Sequence, residues 1–224
     1  MTAPAPTDTP SRGSLRLRRI ALALVAPVVA LILLEGLCHL TGWGTPTRFL
    51  LAAHHDGQPV WIDNQVFGYR FFDPAVSRAP APILVPRAKA ADELRVVVLG
   101  ESAAMGEPEP AYGPARHLEL VLAARHPGRT VRVINAAMTA INSHVIREIA
   151  RELPRLQPDI VVLYIGNNEV VGPFGPGTVF ADHAAPWWNR ARVLVSRLRL
   201  AGALRAAGHA IHGGDRRVWK GMEM

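Results

Sequence analysis

The chain has few of the groups that carry metal and redox chemistry. Its 224 residues hold one cysteine, Cys38, which excludes an intrachain disulfide framework and a cysteine-rich zinc site. Lysine occurs only at Lys89 and Lys220, and neither G-x-x-x-x-G-K-[ST] nor G-x-G-x-x-G is present. The loops that cradle nucleotide phosphates, and the lysine that reaches them, are therefore missing. No cofactor and no metal are expected.

What the chain does have is arginine and long apolar runs. Its net charge is +7, and the placement of that charge decides its meaning. Arg12, Arg16, Arg18 and Arg19 immediately precede "IALALVAPVVALILL". Counting on through Leu40 gives about 20 residues, the length a helix needs to cross roughly 30 Å of hydrocarbon. Pro27 is tolerated in such helices, Glu35 and His39 fall near the far interface, and Trp43 suits an interfacial anchor. Arginines before the span and none directly after it put the N-terminus inside and the remainder outside. No A-x-A site follows the run, so it reads as an uncleaved signal-anchor rather than a secretory signal peptide. Glu35 and Leu37 argue against lipidation at Cys38. A second basic group, Arg190, Arg192, Arg197, Arg199 and Arg205, alternates with Val193, Leu194, Leu198, Leu200 and Leu204. That is the spacing of an amphipathic helix with a solvated face. A domain outside the cytoplasm is not expected to meet nucleic acid.

These features divide the chain into a cytoplasmic tail (1–19), a transmembrane signal-anchor (20–40), a juxtamembrane segment and Pro/Ala-rich linker (41–93), and a folded domain (94–224). Within 41–93, "VWIDNQVFGYRFF" (60–72) alternates aromatic and polar residues and suits edge strands. In the domain, "LRVVVLG" (94–100), "TVRVINAA" (130–137) and "DIVVLYIGNNE" (159–169) are short apolar runs of the kind buried in parallel sheets. Between them, 114–128 and 142–156 have helical spacing, the second with Asn142 or Ser143 as its cap. Strands alternating with helices imply a parallel sheet, whose ligand crevice lies beyond the carboxyl ends of the strands. Each strand there ends in small or polar residues: Ser102, then Asn135 to Ala137, then Asn167 to Glu169.

Three roles compete for Ser102 on its Gly/Ala-lined turn. The missing phosphate motifs argue against phosphate binding. A plain corner is the simplest reading of the serine alone. A nucleophile fits best once the other turns are counted, because the Asn168 amide makes a good oxyanion donor and needs no protonation. The middle turn offers backbone N–H groups screened only by methyl side chains.

Gly100-Glu101-Ser102, Asn135-Ala136-Ala137 and Gly166-Asn167-Asn168-Glu169, each at a strand end, together resemble the SGNH (GDSL-type) hydrolase superfamily. "GESAAMGEPEP", "NAAMTAINSHVIREIA" and "YIGNNEVVGPFG" look like its membrane-anchored bacterial branch. The resemblance covers 94–175. It implies a flavodoxin-like three-layer α/β/α fold with a parallel sheet, incomplete at the C-terminus and preceded by one transmembrane helix. It further implies Ser102 as nucleophile, Ala137 as backbone oxyanion donor and Asn168 as side-chain donor. The substrate would be an ester or O-acetyl group on a small molecule, glycan or lipid, and the address the inner membrane with a periplasmic domain. The family's Asp-x-x-His is absent from the chain. That fits a truncated hydrolase which is inactive as it stands, and His144, His183, His209 and His212 are poor substitutes. The alternatives are a non-catalytic membrane-tethered binding or scaffold module and an O-acyltransferase.

Overall fold

A computed structural model describes the backbone of residues 12–177 and 186–212 and the side chains of 18–177 and 187–208. It is a mixed α/β structure with a parallel sheet, a small antiparallel sheet and one apolar N-terminal helix. That helix, α1 (Arg12–Thr41), contains Pro27. From Arg18 to Thr41 it is long and apolar enough to cross a membrane.

The segment 41–93 is more than a juxtamembrane stretch and linker. Strands β1 (Leu50–His55) and β2 (Gln58–Asp63) pair as an antiparallel hairpin. Its two-residue turn, Asp56-Gly57, has φ of 48° and 76°, the double positive φ that a type I′ turn requires. A third strand, β3 (Leu84–Pro86), adds to β2, and the Asp63 carboxylate accepts the Ile83 N–H at 2.7 Å. Ala81, Ile83 and Val85 are buried, so the supposed linker is part of the core. A 3-10 turn, Phe67–Arg70, drives Phe67 between Phe49 and Phe71, with ring centroids 5.2 and 5.5 Å apart in edge-on geometry.

The parallel sheet has the order β5-β4-β6, with β4 (Glu93–Gly100) in the middle, β5 (Thr130–Asn135) on one side and β6 (Ile160–Tyr164) on the other. After β4 come the single-turn helix α2 (Ser102–Met105) and then α3 (Pro114–Arg125). α4 (Ser143–Ala150) follows β5 and yields to a 3-10 turn at Leu153–Leu156. The helix expected through 156 stops early because Pro154 has no N–H to donate and disfavours helical backbone at the residue before it. α5 (Pro186–Val195) and α6 (Arg199–His212) complete the described chain.

β4 is buried along its whole length and separates two apolar clusters. Val97 and Leu99 join Ile134, Ile141, the Val145, Ile146 and Ile149 face of α4 and the N-terminal phenylalanines. Val98 faces Ala104, Ala115 and Ala137, with Leu118 of α3 against them. At the start of β4, Arg95 is fully buried and donates to both oxygens of Glu93 at 2.9 Å and to the Leu156 carbonyl at 2.8 Å. Burial pushes the Glu93 carboxyl up. Hydrogen bonds from Arg95 and Arg132, with the Arg95 charge, outweigh it and hold Glu93 below its ordinary range. At the other end of the domain, Glu35 of α1 accepts the N–H groups of Arg199 and Leu200 at 2.9 Å. This side-chain cap docks α6 on the last turns of the apolar helix.

Candidate active site

The three small turns are joined to one another at the carboxyl end of the parallel sheet. Gly100 lets β4 finish there: a Cβ on it would lie 2.3 Å from both the Ala104 Cβ and the Tyr164 carbonyl oxygen. The chain then enters α2, with Glu101 at its N-cap and Ser102 as its first helical residue. Ser102 is half-buried, and its hydroxyl meets no hydrogen-bond partner among the described residues. The first N–H groups of a helix have no intrahelical acceptor, so the Ser102 N–H is open to an incoming oxyanion. α2 has four residues, so its macrodipole is slight. The field at Ser102 therefore comes from these local N–H groups.

Glu101 is the residue that sequence reasoning missed. It is buried, and its carboxylate accepts the Gly166 N–H at 3.3 Å and the Asn168 N–H at 3.1 Å. The residue beside the serine thus fixes the backbone of the third turn. A signal was present in the sequence: a carboxylate between glycine and serine, at the end of a buried strand, with no cation adjacent. Asn168 is half-buried, and its amide donates one hydrogen to the Ile141 carbonyl at 3.1 Å, which leaves its second hydrogen for another acceptor. Glu169 is a helix cap. Its oxygens accept the Ser143 N–H at 2.8 Å and the Ser143 hydroxyl at 2.6 Å, the partners that a helix N-terminus seeks. Asn142, expected as a possible cap, makes no capping bond. Its amide donates to the Pro173 carbonyl at 2.9 Å instead.

The middle turn differs from expectation. The Ala137 N–H is already taken, because Asn135 Oδ1 accepts it at 3.2 Å, and Ala137 is completely buried. Asn135 also donates to the Met105 carbonyl at 3.0 Å, which ties the second turn to α2. Three residues on, Ala140 has φ +65°, a left-handed conformation that costs a non-glycine residue roughly 1–2 kcal/mol. Ala140 is half-buried, and its N–H meets no acceptor among the described residues. Of the histidines, His144 is exposed and packs edge-on against Phe174. The side chains of His183, His209 and His212 lie outside the described residues. No group of His, Cys, Asp or Glu that could hold a metal occurs among the described residues.

No family model matches the chain, and no curated protein does. Among solved structures, TesA matches at 22% identity over 49% of this chain and 56% of that chain, with a TM-score of 0.32. The lipase/acylhydrolase from Enterococcus faecalis matches at 19% identity over 52% of this chain and 72% of that chain, with a TM-score of 0.30. The match thus spans little more than half the length of TesA.

Proposed function

We propose that the chain carries the nucleophile-bearing part of a serine esterase or acyl hydrolase of SGNH type, in a three-layer α/β/α fold. α1 would hold it at a bacterial inner membrane with its domain in the periplasm. The observation that carries this reading is the convergence of three turns through the side chains of Glu101, Asn135 and Asn168. Ser102 Oγ attacks an ester or acetyl carbonyl while a base takes its proton. Charge builds on the carbonyl oxygen, where fixed donors in a site shielded from water are worth most. The Ser102 N–H and the free Asn168 amide hydrogen supply two donors. Ala140 supplies the third in place of Ala137, whose N–H is occupied. Collapse of the tetrahedral species expels the alcohol and leaves an acyl-enzyme, which water resolves. A sugar or lipid hydroxyl in that last step would make the protein an O-acyltransferase.

The test is fluorophosphonate labelling of the protein expressed from its own gene in native membranes, with Ser102→Ala as control. Labelling that vanishes in the variant is the expected result. Absence of labelling would favour the second reading, a membrane-tethered binding module. One observation supports that reading: among the described residues, no histidine is hydrogen-bonded to Ser102.

A further inference from the structure

A cavity of about 420 Å³ has walls that include none of Ser102, Ala137, Ala140 or Asn168. It is lined by the 70–73 segment, by Pro173 and Phe174 after the third turn, and by residues of α5 and α6. That volume is within the range of sites for small organic ligands, about 300–1,000 Å³. The walls combine apolar surface with unneutralised positive charge. Phe71, Phe174, Trp188 and Val195 supply the apolar part.

Three guanidinium groups supply the charge. Arg70 is buried and ion-paired to Glu148 at 3.0 Å, yet its buried Nε–H has no acceptor. Among the described residues, Arg205 donates to the Tyr69 and Arg70 carbonyls, at 2.7 and 3.0 Å, and pairs with no carboxylate. Arg192 stacks over the Phe174 ring at 5.6 Å and meets no carboxylate among the described residues. Among the described residues of these walls, Asp73 brings one negative charge against the two positive charges of Arg192 and Arg205. Burial and the neighbouring Arg192 lower the pKa of Arg205, as expected where two cations share a site without enough anion. The floor is strained as well: Phe174 has φ +65°, unusual for a bulky side chain and most frequent at ligand sites.

We propose that this cavity binds an amphipathic anion, a single phosphate or carboxylate head on an alkyl chain, with the head between Arg192 and Arg205 and the chain against Phe174, Trp188 and Val195. Guanidinium groups suit such heads because their planar N–H fork matches the oxygens. One wall of the cavity, Arg205, belongs to α6, the helix that Glu35 docks on the end of the helix read as the membrane anchor, and amphiphiles concentrate at membranes.

The test is calorimetric titration of the full chain in phosphatidylcholine nanodiscs with dodecyl phosphate, dodecanol and inorganic phosphate. Dodecyl phosphate should saturate at one per chain. Arg192→Gln should weaken it tenfold or more, Ala191→Phe should abolish it by filling the cavity, and Ser102→Ala should leave it unchanged. Discs doped with phosphatidate should compete if the bilayer supplies the ligand, and leave the titration unaltered if it comes from water. Equal affinity for dodecanol or for inorganic phosphate would overturn the proposal, as would wild-type binding by both Arg192→Gln and Ala191→Phe.

Discussion

β4 and β6 are neighbours in one parallel sheet, and β6 is the more apolar of the two in sequence, yet β4 is the buried one. All eight residues of β4 are buried, whereas Ile160, Val161, Leu163 and Tyr164 of β6 are 46–56% exposed. β4 is hydrogen-bonded on both edges and covered on both faces; among the described residues β6 pairs only with β4. An apolar run therefore reports the burial a strand is suited to. The burial it receives is set by elements elsewhere in the chain. The carboxyl-terminal turn of β6 is nonetheless held in place, because Glu101 and Glu169 anchor it through hydrogen bonds rather than packing.

The contrast can be broken most severely at the polar end of β4. Glu93→Ala leaves Arg95 buried without its carboxylate and should cost about 3–5 kcal/mol, read from the denaturant midpoint. Next comes a matched pair of truncations. Leu99→Ala, in the core, should cost about 2–5 kcal/mol. Leu163→Ala, at 56% exposure, should stay within about 0.5 kcal/mol. A comparable loss at both sites would mean that β6 is covered in the protein under test, and the contrast would fail.

A smaller effect concerns acid. Folding depresses the Glu93 carboxyl below 4.5, where hydrogen bonds from Arg95 and Arg132 outweigh burial. It depresses the Asp159 carboxyl below 3.8, through hydrogen bonds from Lys89 and the Arg95 N–H. A depressed carboxylate stabilises the fold above its unfolded pKa and loses that contribution as pH falls through the folded one. Stability should therefore be independent of these groups above about pH 4.5 and decline below it. Glu93→Gln should flatten that decline, as followed by circular dichroism across an acid titration.

Much of this arrangement was legible in the sequence because it is periodic or local. The three strands and α3 follow from apolar spacing, and the serine, asparagine and glutamate turns fall where parallel strands end. Within 41–93 the edge strand expected in 60–72 overlaps β2, whereas the proline and alanine of 73–93 suggest a linker by composition although this stretch contributes β3; Asp56-Gly57 between two extended runs is a strong hairpin signal. The sequence marks Glu101 as a carboxylate at the end of a buried strand but not its partners, Gly166 and Asn168, which lie on a different strand end. Ala137 was chosen by its place in a motif, and neither the claim of Asn135 on its N–H nor the positive φ of Ala140 can be read from methyl side chains.

The smallest change with the most specific consequence is at Asn168. If the three turns form one oxyanion site, removing its amide should slow phosphonylation of Ser102 by about 10²–10³-fold. Asn167→Ala, at the exposed neighbouring position, should react like the unmodified protein. The decisive measurement is the rate of fluorophosphonate incorporation at Ser102, by mass spectrometry, in the native-length protein carrying Asn168→Ala or Asn167→Ala. A loss confined to Asn168→Ala is the expected result. Equal rates in the two variants would contradict a shared oxyanion site.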